Sequence, residues 1–93
     1  MGTVVLDVGA VKALNNGKSL LPSGILKIDG SFEYGDPVQI EDINHKIIAV
    51  GLSRYHANEA RHIMGRNSTE ISGILGYSRG DVIIHRDDLV LQA

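Results

Sequence analysis

The sequence predicts a mainly β domain with short helices, in which brief strands form a small mixed or antiparallel barrel-like sheet closed at its ends by helices. Three observations carry this reading. The chain has 93 residues, enough for one compact domain and too few for two that each bury a core. Eleven glycines and apolar runs of only three to six residues imply many turns between short elements. Segments with strand character outnumber helical ones, and they do not alternate with helices as a doubly wound sheet requires.

The elements follow in order. Thr3 to Val8 alternates, with Val4, Leu6 and Val8 on one face and Thr3, Val5 and Asp7 on the other, which predicts a strand. From Gly9 the period changes to helical spacing through Ala10, Ala13 and Leu14. Asn15-Asn16-Gly17 stops this helix, and Pro22 prevents its resumption. Ile25 to Phe32 alternates again, placing Leu26, Ile28 and Phe32 against Lys27, Asp29 and Ser31. After the Gly35-Asp36-Pro37 turn, Pro37 opens a strand with Val38 and Ile40 inward. Asp42 to His45 forms a hairpin turn in which Asn44 is the residue best suited to positive φ. Ile47 to Leu52 is apolar on both faces and is expected to be the most buried strand.

A helix is predicted over Asn58 to Met64, with Ile63 and Met64 inward, Glu59, Arg61 and His62 in solvent, and Gly65 as its stop. Asn67 with Glu70 three residues on makes a capping box before Ile71, Ile74 and Leu75, in a helix ending at Gly76. Val82 to Ile84 and Leu89 to Leu91 read as two more strands around the polar turn His85-Arg86-Asp87-Asp88.

Composition excludes several chemistries. With no cysteine, the chain has no disulfide, thiolate metal site or cysteine nucleophile, which fits a reducing compartment, so a cytoplasmic location is expected. Neither a secretory leader nor an apolar run of bilayer-spanning length is present, so no membrane partner is expected. The formal charge is −2, unlike a dedicated nucleic-acid binder, yet the cations are segregated: every lysine precedes Ile47 and every arginine follows it.

The motifs that suggest catalysis fail on spacing. Gly17-Lys18-Ser19 resembles a phosphate loop, but Lys12 stands where its first glycine belongs and Pro22 blocks the helix that must follow. Gly51 to Tyr55 lacks the second glycine of a nucleophile elbow. His56, Glu59 and His62 share one side of a helix without an HExxH pattern, so a solvated helix face is the simpler reading and no metal site is assigned. His85 lies beside Asp87 and Asp88 with no activated nucleophile, and a turn hydrogen bond accounts for it. No catalytic residue emerges. The remaining candidate is a basic, small-residue surface comprising Lys12, Lys18, Ser19, Leu20, Leu21, Pro22, Ser23, Gly24 and Lys27, whose positive charge and compact groups suit a phosphate backbone or similar ligand.

The ordered series Asp7-Val8-Gly9-Ala10, Gly17 to Ile25, Gly30-Ser31-Phe32, Gly35-Asp36-Pro37-Val38 and His85 to Val90 resembles a PUA domain. More narrowly, Ser19-Leu20-Leu21-Pro22, Gly51 to Tyr55, Glu70-Ile71 and Leu75-Gly76-Tyr77 resemble the C-terminal PUA domain of bacterial glutamate 5-kinases. The resemblance spans nearly the whole chain. It implies a single PUA domain over residues 1–93, with the fold of a PUA pseudobarrel. It further implies a non-catalytic regulatory or interaction module whose partner is a kinase domain of the same chain. That kinase domain uses ATP and magnesium to phosphorylate glutamate toward proline, whereas this segment itself needs no cofactor. In RNA-modifying enzymes the same domain contacts RNA, which maps here onto Gly9 to Ile28, so RNA is the alternative partner.

Overall fold

A computed structural model describes residues 1–92 of the chain. Strand β1 (Gly2–Leu6) is followed by helix α1 (Val8–Asn15), β2 (Ile25–Asp29), β3 (Pro37–Glu41) and β4 (Ile47–Leu52), then by α2 (Ala57–Ile63), α3 (Ile71–Leu75) and β5 (Leu89–Leu91). Short 3-10 turns occupy Pro22–Gly24, Ser68–Glu70 and Arg86–Asp88. The strands form one sheet in the order β2-β1-β3-β4-β5. Among the described residues only β1 and β3 run parallel, and the excursion between them carries α1 and β2. The mainly β class therefore holds, as a mixed sheet. No helix among the described residues is long and apolar enough to cross a membrane.

β1 lies inside this sheet and buries Val4, Val5 and Leu6. Its alternation stops two residues earlier than the sequence suggests, because Asp7 caps α1: the Ala10 N–H donates to Asp7 Oδ1 at 2.7 Å. Val8 thus joins a helix instead of the strand's inner face, and it is 73% exposed. A register shift between Val5 and Leu6 sets Leu6 opposite Ile25. Ile25 consequently turns inward and Leu26 outward, against the expected phase, while Ile28 is buried as expected. β2 ends at Asp29, and Gly30 with φ of 76° bends the chain so that Phe32 returns to the core. The aromatic ring lies on Gly2, where a Cβ would come within 2.4 Å of Phe32 Cδ2.

β3 follows expectation, with Pro37 first and Val38 and Ile40 fully buried. β4 does not. Only Ala49 and Gly51 are buried in it, because just the three-residue β5 covers its outer edge, and Ile47 and Leu52 remain exposed. The most buried strand is β1. In the β3–β4 turn, Asp42 Oδ1 accepts from the N–H groups of Asn44 and Lys46 at 2.9 and 3.0 Å, and positive φ falls on His45 at 65° instead of on Asn44.

Gly65 and Gly76 end α2 and the α3 segment in left-handed conformations, as expected. The capping box also forms, with Thr69 N–H donating to Asn67 Oδ1 and Asn67 N–H donating to Glu70 Oε2, each at 3.0 Å. Val82 to Ile84 is not a sheet strand. It makes one bridge, Leu20 to Ile84, while Ile83 and Ile84 are both buried, so the segment plugs the core beneath the 19–22 loop.

Leu6 and Val8 separate these two phases experimentally. Leu6→Ala removes fully buried volume and should cost about 2–5 kcal/mol in denaturant unfolding. Val8→Ala should change stability by no more than about 0.5 kcal/mol; equal losses at both positions would contradict the boundary at Asp7.

Candidate binding site

A cavity of about 400 Å³ opens where β1 gives way to α1. Asp7, Gly9, Ala10 and Ala13 form one wall, and Lys18, Ser19, Leu20, Leu21, Ser23 and Gly24 form the other. The walls approach closely because both are built from small groups: a Cβ on Gly24 would lie 2.4 Å from Ala10 Cβ. Gly24 O also accepts from Asp7 N–H at 3.0 Å, which joins the two walls at their base. The far wall is held by Leu20, which exchanges backbone hydrogen bonds with Ile83 and Ile84, and by Ser19 Oγ, which accepts from Arg86 N–H at 2.9 Å.

The structure thus gathers Lys18, Ser19, Leu20, Leu21, Ser23 and Gly24 around one opening and leaves three of the sequence candidates outside it. Pro22 is buried, and its carbonyl accepts from Gly65 N–H. Lys12 is exposed on α1 and does not line the cavity. Lys27 sits on β2 in a 3.6 Å surface pair with Asp29, an arrangement of little energetic weight. Gly9, Ala10 and Ala13 fall within the Gly9 to Ile28 stretch that the resemblance implies, whereas Asp7 was missed, because its helix-cap role looks purely structural until the second wall is folded against it.

Chemically the opening combines one ammonium, one carboxylate, two hydroxyls and apolar walls. Gly17 and Lys18 do not cradle a phosphate, because their N–H groups already donate to Leu14 O and Ala13 O at the carboxyl end of α1. Ser53 is equally committed: it is buried, donates to Tyr55 O at 2.6 Å and accepts from Tyr55 N–H. His85 accepts from Asp87 N–H at 3.1 Å, the expected turn bond. Among the described residues, no group of three or more His, Asp or Glu is arranged to hold a metal ion.

The charged centre of the molecule lies elsewhere, and it corrects the solvent-facing placement of Glu59. Its side chain is only 10% exposed and receives Arg79 Nε at 3.0 Å, the Tyr77 hydroxyl, and His56 N–H at 2.8 Å. Burial pushes this carboxyl up, but the bonds from Arg79, Tyr77 and the His56 backbone outweigh it and bring its pKa down to about 2. Tyr77 is raised in turn, first by its bond to Glu59. Arg79 and Glu59 are twenty residues apart, with no periodic pattern linking them, so the sequence carries no signal for this clamp.

A family model described as the PUA domain matches residues 2–75. The chain belongs to the PUA family. It is 52% identical over 91 residues to glutamate 5-kinase of Paramagnetospirillum magneticum, a match covering 98% of this PUA chain and 25% of that kinase. It thus spans about a quarter of the length of the curated relative it matches. Among solved structures, it resembles a PUA domain from Aeropyrum pernix K1 in a tartrate complex, with a TM-score of 0.66 and 24% identity over 90% of this chain and 41% of the other. It also resembles a chain of an H/ACA ribonucleoprotein bound to a substrate RNA, with a TM-score of 0.65 and 21% identity over 91% of this chain and 22% of that one.

The Glu59 clamp predicts a pH dependence. A carboxylate whose folded pKa is depressed adds stability that is fully present above its unfolded pKa and is lost as pH falls toward the folded value. For Glu59 that window runs from about 4.5 down to about 2. Denaturant midpoints should fall through this window on acidification, and Glu59→Gln should start lower at neutral pH and fall less steeply.

Proposed function

We propose that this chain is the non-catalytic PUA module of a glutamate 5-kinase, acting on or through the remainder of its parent chain in the cytoplasm. The supporting observation is the 52% identity over 98% of this chain to a segment that makes up 25% of such a kinase. In this reading, ATP-dependent phosphorylation of glutamate, a step toward proline, belongs to the other three quarters of the parent. The residues described here do not fit ATP and magnesium: in the Gly17-Lys18-Ser19 turn the Gly17 and Lys18 N–H groups are engaged, and its carboxyl-end setting favours cations over phosphate. No catalytic step is therefore routed through this module. Its contribution is a recognition surface, with the cavity between α1 and the 18–24 segment as the candidate ligand or RNA site, flanked by Lys12.

An RNA-binding role is the second reading, favoured by the structural likeness to a chain of an RNA-bound ribonucleoprotein. Against it stands the charge layout. Asp7 lines the same cavity as Lys18, Lys27 is paired with Asp29, and the formal charge of the chain is −2.

Two measurements decide between the readings. Incubated with ATP, magnesium and glutamate, this chain should form no acyl phosphate, whereas the intact parent should; acyl phosphate from the 93-residue chain alone would overturn the module reading. Structured RNA should bind no tighter than the non-specific range of roughly 10⁻⁴ to 10⁻⁶ M at physiological salt. Submicromolar, sequence-selective binding whose salt slope drops by about 1.8 in the Lys12→Ala/Lys18→Ala variant would make RNA the primary partner.

A further inference from the structure

β1 gives the domain two distinct ends. At its start, Gly2 pairs with Val38, the neighbouring Pro37 pairs with Leu52, and Gly35 N–H donates to Ser53 O at 2.7 Å. Met1 therefore enters at the end of the sheet that also carries the Glu33–Gly35 loop and, across β3, the exit of β4. At the other end of β1, Asp7 begins α1, and the cavity described above opens.

The Met1 end carries a surface of particular composition. Tyr34 is 54% exposed and Tyr77 46%, and the Arg79 guanidinium lies 6.0 and 5.3 Å from their ring centroids. Tyr34 also walls a shallow groove of about 180 Å³ with Leu52 and Arg54. Tyr and Arg are the residue types most enriched at the energetic centres of protein interfaces. Both cations already have carboxylate partners, Arg79 in Glu59 and Arg54 in Asp88 at 3.4 Å, so the patch is held in place and close to neutral. Such a patch suits a protein surface better than a phosphate backbone, which requires uncompensated cations.

We propose that Tyr34, Leu52, Arg54, Tyr77 and Arg79 form the surface on which the preceding part of the parent kinase chain docks. The proposal rests on the module reading above and supplies its partner surface. The matched segment is the C-terminal region of the kinases and only 25% of a relative's length, so the bulk of such a chain arrives through Met1, at the end of the sheet that carries this patch. Tethering there raises the effective concentration of the partner, so an interface of modest area suffices. The cavity at the opposite end stays open to its own ligand.

The test uses the intact parent chain with Tyr34→Ala/Leu52→Glu, both at exposed side chains, and with Val8→Glu/Ile43→Glu as a control on exposed residues of the opposite end. Solution X-ray scattering, light-scattering mass and the rate of protease cleavage near Met1 are read together. The Tyr34/Leu52 variant should enlarge the particle at unchanged mass and speed cleavage about tenfold, the change expected for loss of an interface anchor. The control should match the wild type. Should Leu52→Glu fail to fold, Tyr34→Ala alone carries the test, since its backbone bond to His56 is kept. No loosening in the patch variant, equal loosening in the control, or a halved mass at unchanged compactness, which would mean a second copy occupies the patch, each overturns the proposal. A glutamate-phosphorylation assay on the same parent tests the module reading separately, because the scattering result stands whether or not that activity is present.

Discussion

The rest of the fold depends on the place of β1 between β2 and β3. It is hydrogen-bonded on both edges and buries Val4, Val5 and Leu6 in succession, so its two ends become the fixed points from which the connections radiate. The Asp7 side chain converts strand to helix within one residue, and the Asp7–Gly24 backbone bond ties the helix entry to the start of β2. The cavity is the space left between these two tied segments. Its small residues are there because the segments pass too closely for larger ones.

What was legible in the sequence was mostly local. Pro37 with alternating Val38 and Ile40, the Asn67–Glu70 capping box, the glycine stops at Gly65 and Gly76, and the His85 turn all depend on residues within a few positions of one another. The errors share a different origin. Val8 and Leu26 were misplaced because alternation alone cannot locate a cap or a register shift. Ile47 to Leu52 looked like the core strand because apolar sequence on both faces cannot distinguish burial by a neighbouring strand from exposure near a sheet edge. Val82 to Ile84 has strand-like residues, but its partner is a single residue sixty-odd positions away, which allows a bridge and no ladder.

The candidate site was legible in part for the same reason. One wall, Lys18 to Gly24, stands out as a basic and small-residue loop, while the other looks like an ordinary helix start. The Glu59–Arg79 clamp was invisible because it closes a long loop between groups with no sequence periodicity. Its consequence is nonetheless large. By fixing the Tyr77–Gly80 segment to α2, and with Tyr55 donating from its hydroxyl to Gly80 O at 2.6 Å, it holds Arg79 over Tyr34 and Tyr77. An ordered recognition surface thus forms at the end of the sheet away from the cavity.

Native-state amide hydrogen exchange tests the central position of β1 most directly. Amides of Val4, Val5 and Leu6 should exchange only through global opening and should be the slowest in the chain, with those of β4 and β5 exchanging earlier through local opening at the sheet edge. If Ile47 to Leu52 outlasted β1, the core would be centred on β4, and the two-ended organisation built on β1 would be contradicted.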